Sequence, residues 1–154
     1  MKREGRSIFE SFRDAFRGLC HVARSERNFR IHICMAIYVI YFSIISKVSV
    51  VTASAFLICF GLVFALELVN TAIEMLCDMM TEKYDERIGR IKDISAAAVL
   101  LSALFSAAVG LFVFLSPETF GRIVTAYVDM PWLLLAFPGS VPLACLYIAK
   151  RRKK

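Results

Sequence analysis

Four long apolar stretches without a charged residue dominate the chain. They cover residues 31–46, 48–66, 94–117 and 130–149. A helix needs about 20 mostly apolar residues to cross the hydrocarbon layer of a bilayer. The pattern therefore predicts transmembrane helices at about 29–47, 50–80, 91–116 and 131–149. The second is extended to residue 80 because its apolar background continues there, although carboxylates interrupt it. We expect an all-α membrane protein built as a helix bundle.

The N-terminal segment has a different periodicity. In residues 7–24, large apolar side chains recur every three or four positions, and arginines are available to the opposite side. This pattern predicts an amphipathic helix that lies in the headgroup plane. The alternative is a soluble helix packed against the loop at 79–92. Ser25 is the expected N-cap of the first transmembrane helix.

Basic residues give the expected orientation. The chain has 154 residues, 19 Lys and Arg, 13 Asp and Glu, and a net charge of +6. All the basic residues except Lys47 and Arg122 lie in residues 1–30, 79–92 and 150–154. By the positive-inside rule this side, with both termini, is cytoplasmic. Orientation and anionic headgroups account for the net charge, so no nucleic-acid partner is expected.

Composition adds further expectations. The chain is 58% hydrophobic, with a mean hydropathy of +0.65, which is too apolar for a soluble domain of this size. No cleavable signal sequence is recognised. The five cysteines show no metal-like spacing, and we expect free thiols.

A polar stripe runs along the second predicted transmembrane helix. It consists of Glu67, Asn70, Glu74 and Asp78, which share one face at about 100° per residue. Carboxylates inside a membrane are costly to hold and usually functional. The stripe reaches the same side of the membrane as Glu26 and the adjacent Lys92 and Asp93. This combination suits Mg²⁺ and phosphoryl transfer, with a deep carboxylate as base, or else an ion-coupled transporter.

Simpler roles are open for the residues outside the stripe. By position alone, Glu26 is expected to form a surface salt bridge, Lys92 to anchor the helix, and Asp93 to match the helix dipole.

The third helix carries a face of small residues, which predicts close helix packing and favours oligomerisation. The small residues are Ala98, Ser102, Ser106 and Gly110. The fourth helix, kinked by prolines, contains no ionisable residue and is expected to be a scaffold.

Two motifs in register carry a resemblance to a known family. They are Glu67-x-x-Asn70-x-Ala72-Ile73-Glu74-x-x-x-Asp78 and Gly89-Arg90-x-Lys92-Asp93-x-x-Ala96-Ala97-Ala98-Val99. Together they resemble the small bacterial integral-membrane diacylglycerol kinases, a family that includes Gram-positive undecaprenol kinases. The segment Glu26-Arg27-Asn28-Phe29-Arg30-Ile31-His32 is more similar to the undecaprenol kinases. The resemblance extends over residues 11–115, with Ser7 and Asp14 replacing a family arginine and tyrosine.

The resemblance implies a homotrimer with shared active sites. Residues 1–117 would form the kinase domain, with its surface helix at 7–24 and three spans, and residues 118–154 a C-terminal extension with an extra span and a basic tail. Glu67 would be the catalytic base, and Asn70 and Ala96 would support the lipid site. Glu26 and Glu74 would bind Mg²⁺. The implied ATP-binding residues are Glu26, Glu74, Lys83, Tyr84, Asp85, Lys92 and Asp93.

The resulting hypothesis is a lipid kinase of the bacterial cytoplasmic membrane. It would transfer phosphate from Mg-ATP to a lipid alcohol at the cytoplasmic face. The segment 26–32 favours undecaprenol as the acceptor, and diacylglycerol is the first alternative. A small ion-coupled transporter is the second, although all the charged groups of the candidate site are expected on one side of the membrane.

Overall fold

All the secondary structure in the described residues is helical. The computed structural model describes residues 7–80 and 85–149. The predicted nucleotide contacts Lys83 and Tyr84 and the basic tail at 150–154 lie outside the described residues. The helices are α1 (Ile8–Ser25), α2 (Arg27–Ile45), α3 (Val50–Met80), α4 (Glu86–Phe114), α5 (Pro117–Asp129) and α6 (Leu133–Ala149).

Three of these helices are long and apolar enough to cross a membrane, as the sequence predicts. They are α2, α3 and α4, with 19, 31 and 29 residues. With a rise of about 1.5 Å per residue, α3 extends beyond the hydrocarbon layer, so its last turns reach the polar boundary. In contrast, α6 has 17 residues, of which Phe137–Ala149 form a shorter apolar helix. The fourth span therefore stays a prediction.

The junction between α1 and α2 differs from its prediction. Ser7 is the N-cap of α1 and forms a capping box with Glu10. Ser25 is the last residue of α1, and its hydroxyl donates to the carbonyl oxygen of His21, so the prediction that Ser25 caps α2 is wrong. The helical conformation is interrupted at Glu26, which has an extended backbone and is the N-cap residue of α2. Helix α1 continues to Ser25, one residue beyond its predicted end at residue 24, so Ser25 is helical and Glu26 takes the N-cap position of α2.

The bundle is built around the antiparallel pair α3 and α4, with α2 packed against α3. Phe29 packs against Phe64 near one end of the bundle, and Phe56 stacks on Phe114 near the other. The apolar side of α1 is exposed, as an interfacial helix requires. Its exposed residues include Ile8, Phe9, Phe12 and Phe16.

The small-residue face of α4 is only partly packed within one chain. Ser102 is buried, whereas Ala98 is exposed. A Cβ atom added at Gly110 would meet no atom within 4 Å. Within the described residues of one chain, Ala98 and Gly110 are therefore not closely packed, because α3 covers only one side of α4, and the predicted packing of this face in an oligomer stays a prediction.

The C-terminal helices return along α2. Ser116 caps α5, and Arg122 of α5 donates to the carbonyl oxygens of Ser46 and Lys47 at the C-terminal end of α2. From there α6 runs antiparallel to α2, with Ser140 hydrogen-bonded to the hydroxyl of Tyr38 at 3.3 Å. Its last turn ends beside the start of α2. The end of α1, the start of α2 and the end of α6 thus share one end of the bundle.

Candidate active site

Glu67 is the most enclosed member of the polar stripe. Its side chain is 3% exposed, although it carries a carboxylate in an apolar helix. The Nε2 atom of His32, on α2, lies 3.3 Å from Oε1 of Glu67. Within the described part of the chain, this oxygen has no partner with hydrogen-bond geometry. A buried carboxylate left in this condition is costly, so its presence points to use rather than to stability.

His32 is the residue that the sequence reasoning missed. It appears in the segment that resembles the undecaprenol kinases, but nothing assigned it a role. The available signal was an ionisable side chain inside a predicted span, which is by default a candidate functional residue. Its partner became visible only when the fold placed α2 beside α3.

Asn70 connects the stripe to α4. Its Nδ2 donates to Oε1 of Glu74 at 2.9 Å, and its Oδ1 accepts a hydrogen bond from the hydroxyl of Ser95 at 2.6 Å. Asn70 and Ser95 are both buried. The amide therefore fixes the Glu74 side chain and joins two helices at the depth of the stripe.

The stripe reaches the surface at Asp78, which forms an ion pair with Lys92 of α4. The Asp78 side chain is exposed and that of Lys92 is about one-third exposed. Such a pair contributes little to stability. It does, however, hold an ammonium group at the end of the stripe that lies nearest to solvent.

Glu26 belongs to the same cluster of charge, although it comes from the α1–α2 junction. Glu74 follows Glu67 by about two turns of α3, and Glu26 precedes by six residues His32, which lies against Glu67. Glu26 forms no ion pair with any described residue and caps no helix with its side chain. The surface salt bridge expected from its position alone is thus not found in the described parts of the chain.

The acidic groups suit a hard cation. Carboxylate oxygens are the ligands that Mg²⁺ prefers, and Mg²⁺ is usually held by one or two carboxylates together with substrate phosphates and waters. The Glu26 side chain, without a bond to the described residues, is available for such a role. The described residues contain no group of three or more His, Cys, Asp or Glu that could hold a metal on its own.

Three predicted residues stand apart from this cluster within one chain. Asp85 is exposed and caps α4, its carboxylate accepting from the backbone N–H of Arg87 at 2.8 Å. Asp93 and Ala96 are exposed, and no described bond joins them to the stripe. Because Lys92 faces α3, its neighbour Asp93 lies about 100° further round α4.

Two apolar grooves adjoin the polar groups. One, of about 290 Å³, lies between α3 and α4 and includes Asn70 and Ser95 in its wall. The other, of about 350 Å³, lies between α2, α3 and α4, and His32 stands in its wall. From His32 the second groove continues past Met35 and Phe60 toward the opposite end of the bundle. Hydrocarbon could therefore lie in a groove whose wall includes His32, the neighbour of Glu67.

Comparison with known proteins places this arrangement in a family. The family described as prokaryotic diacylglycerol kinase matches residues 13–114. The chain is 36% identical over 114 residues to the undecaprenol kinase of Bacillus subtilis (strain 168), covering 74% of this chain and 93% of that protein. It is 33% identical over 112 residues to a diacylglycerol kinase of Synechocystis sp. (strain ATCC 27184 / PCC 6803 / Kazusa), covering 72% of this chain and 64% of that protein. No solved structure shows significant similarity. The chain belongs to the prokaryotic diacylglycerol kinase family and is a lipid kinase.

Proposed function

We propose that this lipid kinase transfers the γ-phosphoryl group of ATP to the hydroxyl of undecaprenol. The observation that carries the proposal is the enclosed Glu67 carboxylate, which lies 3.3 Å from His32, a residue in the wall of an apolar groove. Support for an isoprenoid acceptor comes from the relative named undecaprenol kinase, which the chain covers almost completely. Diacylglycerol is the alternative acceptor, supported by the second relative.

In the proposed reaction, Glu67 takes the proton of the lipid hydroxyl. The lipid oxygen forms a bond to the γ-phosphorus as the bond to the β,γ-bridging oxygen breaks. The products are the lipid phosphate and ADP, and the proton stays on Glu67 until it is lost to water. Phosphoryl transfer of this kind depends mainly on positioning and on stabilising the charge of the transferred group.

The remaining residues would serve the nucleotide. Glu26 and Glu74 would hold Mg²⁺, which neutralises phosphate charge when it is bound. Lys92, placed by Asp78 at the solvent end of the stripe, would approach the phosphates. Asp85 and Asp93 would complete the nucleotide contacts together with Lys83 and Tyr84.

The depth of the stripe supports this division of roles. Glu67 is enclosed among apolar helices, whereas Asp78, three turns further along α3, is exposed. A water-soluble donor would thus approach the Asp78 end and a membrane-bound acceptor the Glu67 end. The distribution of basic residues supports a cytoplasmic position for the Asp78 end and for both termini. The proposed assembly is a homotrimer in the bacterial cytoplasmic membrane.

A direct acceptor test distinguishes the candidates. The purified full chain is incubated in detergent with labelled Mg-ATP and equal amounts of undecaprenol and diacylglycerol, and Glu67→Gln serves as the inactive control. We expect the label chiefly in undecaprenyl phosphate. Chief labelling of diacylglycerol would overturn the choice of acceptor. Labelling of neither lipid alcohol would overturn the proposed acceptors, and ATP-independent ion flux in vesicles would favour a transporter.

A further inference from the structure

A buried arginine joins the ends of two helices at the α1–α2 junction. Arg30, in the first turns of α2, is 6% exposed. Its Nη1 donates to the carbonyl oxygen of Arg24 at 2.9 Å, and its Nη2 donates to the carbonyl oxygen of Ile148 at 3.2 Å. These carbonyls belong to the last turns of α1 and α6. The Nε–H of Arg30 is enclosed and has no partner among the described residues, so the two carbonyl bonds hold the guanidinium.

The physical logic of this contact is charge matching. The last carbonyls of a helix lack partners within the helix and carry a partial negative charge. A buried guanidinium, in turn, is costly unless it is hydrogen-bonded. Arg30 therefore neutralises two helix ends at once, and it depends on α6 for half of its bonds.

The position of Arg30 gives this contact a consequence for the candidate site. Arg30 lies one helical turn after Glu26, and its backbone N–H donates to the Glu26 carbonyl oxygen at 3.4 Å. Glu26 is the extended residue between α1 and α2, and its side chain has no bond of its own to a described residue. The direction of the Glu26 carboxylate is thus set by how α1 and α2 meet, which is what Arg30 holds.

Aromatic packing brings α6 to this position. The ring of Phe137, near the start of α6, lies 5.3 Å from the rings of both Tyr38 and Phe42. Ser140 adds the hydrogen bond to Tyr38. The first part of α6 therefore packs against α2, and its last turn is hydrogen-bonded to Arg30.

We propose that α6 is an internal brace, which acts through Arg30 to position Glu26 for the metal and the nucleotide. Arg30 is in this sense a positioning residue, and residues 133–149 contribute to the site without touching the substrate. The inference rests on the proposed function, because it needs Glu26 to serve Mg-ATP. It assigns a role to the part of the chain that lies beyond the family match at 13–114.

Full-length variants test the brace by steady-state kinetics. We expect Arg30→Gln to raise the KM for Mg-ATP about tenfold, because a buried charge-assisted contact is lost. Phe137→Ala, which loosens the seat of α6, should raise the same KM by a smaller factor. Neither should change the KM for the lipid. The double variant Arg30→Gln, Phe137→Ala should raise the KM for Mg-ATP no more than Arg30→Gln alone, since both substitutions act through the contact between Arg30 and α6.

Arg122 provides the matched control. Its guanidinium also donates to backbone carbonyls, those of Ser46 and Lys47, but at the opposite end of α2. Arg122→Gln should lower the thermal unfolding midpoint in detergent and leave the KM for Mg-ATP unchanged. Leu146→Ala, on the exposed side of α6, is the control for Phe137→Ala. If Arg30→Gln does not fold, Arg30→Lys, which keeps the charge with fewer fixed donors, replaces it and should give a smaller rise in KM.

Three results would overturn the brace. One is an unchanged KM for Mg-ATP in Arg30→Gln, despite a lowered unfolding midpoint. Another is a double variant whose KM is the full product of the two single effects. The third concerns stability and applies if the unmodified protein phosphorylates no lipid alcohol, in which case the proposed function fails. The thermal unfolding midpoint of the double variant Arg30→Gln, Phe137→Ala is then compared with those of the two single variants. A shift smaller than the sum of the two single shifts would support the contact between Arg30 and α6, and a shift equal to that sum would overturn it.

Discussion

At the level of single residues, the site depends on a carboxylate that the fold encloses without satisfying. The protein would be more stable if Glu67 had a hydrogen-bonded partner or were replaced by an apolar residue, yet Oε1 of Glu67 has no hydrogen-bond partner among the described residues and lies 3.3 Å from the imidazole of His32. We expect Glu67→Gln to lower kcat by about 10²-fold or more, because general base catalysis contributes about that factor. The KM for Mg-ATP should stay close to its original value. A variant with near-normal turnover of labelled ATP into lipid phosphate would contradict the assignment of the base.

The role of His32 can be separated from simple packing by comparing two substitutions. A neutral imidazole would donate its Nε2–H to Glu67 and hold the carboxylate in one orientation. We expect His32→Gln, which keeps a donor of similar reach, to retain most of kcat. His32→Leu fills a similar volume without a donor and should lower kcat about tenfold or more, with little change in either KM. Equal activities of the two variants in the lipid phosphorylation assay would exclude the donor role.

At the level of helices, the bond between Ser95 and Asn70 is a buried polar contact that joins α3 to α4, within one turn of α3 from Glu67 and away from the exposed Asp78–Lys92 pair. Ser95→Ala removes it, at a cost of about 0.6 kcal/mol for an average interhelical bond in a membrane. Because Asn70 also holds Glu74, we expect a higher requirement for Mg²⁺ in the activity assay. Ser102→Ala is the matched control, since this buried hydroxyl donates to Val99 of its own helix. A similar Mg²⁺ requirement in both variants would count against the coupling.

The elements were more predictable than their contacts. Apolar runs and amphipathic spacing predicted α1 to α4 to within a few residues, except that α4 begins five residues early, because Asp85 caps it and residues 86–90 are helical. The stripe was visible because helical spacing alone defines it. The partners of the stripe on other helices were not visible in the sequence. Ser95 is one of several small residues in α4, and only the packing of α4 against α3 shows that Ser95 is the partner of Asn70. The Arg30–Ile148 bond had no signal at all, because a backbone carbonyl is present at every residue and the two positions are 118 residues apart.

At the scale of the whole molecule, one face of α4 has small and charged residues that are exposed in a single chain. Gly110 has open space beside it, and Ala98 and Asp93 of α4 are exposed. In a cyclic trimer, such a face would meet a different face of the next copy, and exposed residues would complete a neighbour's site. The homotrimer that the family resemblance implies would therefore bring Asp93 and Ala96 beside a stripe from another subunit.

Mixing two inactive variants tests this arrangement. Glu67→Gln and Asp93→Asn are each expected to lose lipid phosphorylation as homotrimers, since each would lack one group in every site. If Asp93 serves the neighbour's stripe, mixed trimers contain some sites with both original residues, and activity should return when the two are unfolded together and reconstituted in detergent. Glu67→Gln mixed with His32→Leu is the control, and its activity after unfolding together should not exceed the residual activity of the same two variants mixed without unfolding, because those two side chains meet within one chain. Failure of the Asp93 mixture to regain activity, with mixed trimers confirmed by differential tagging, would show that each site is formed within a single subunit.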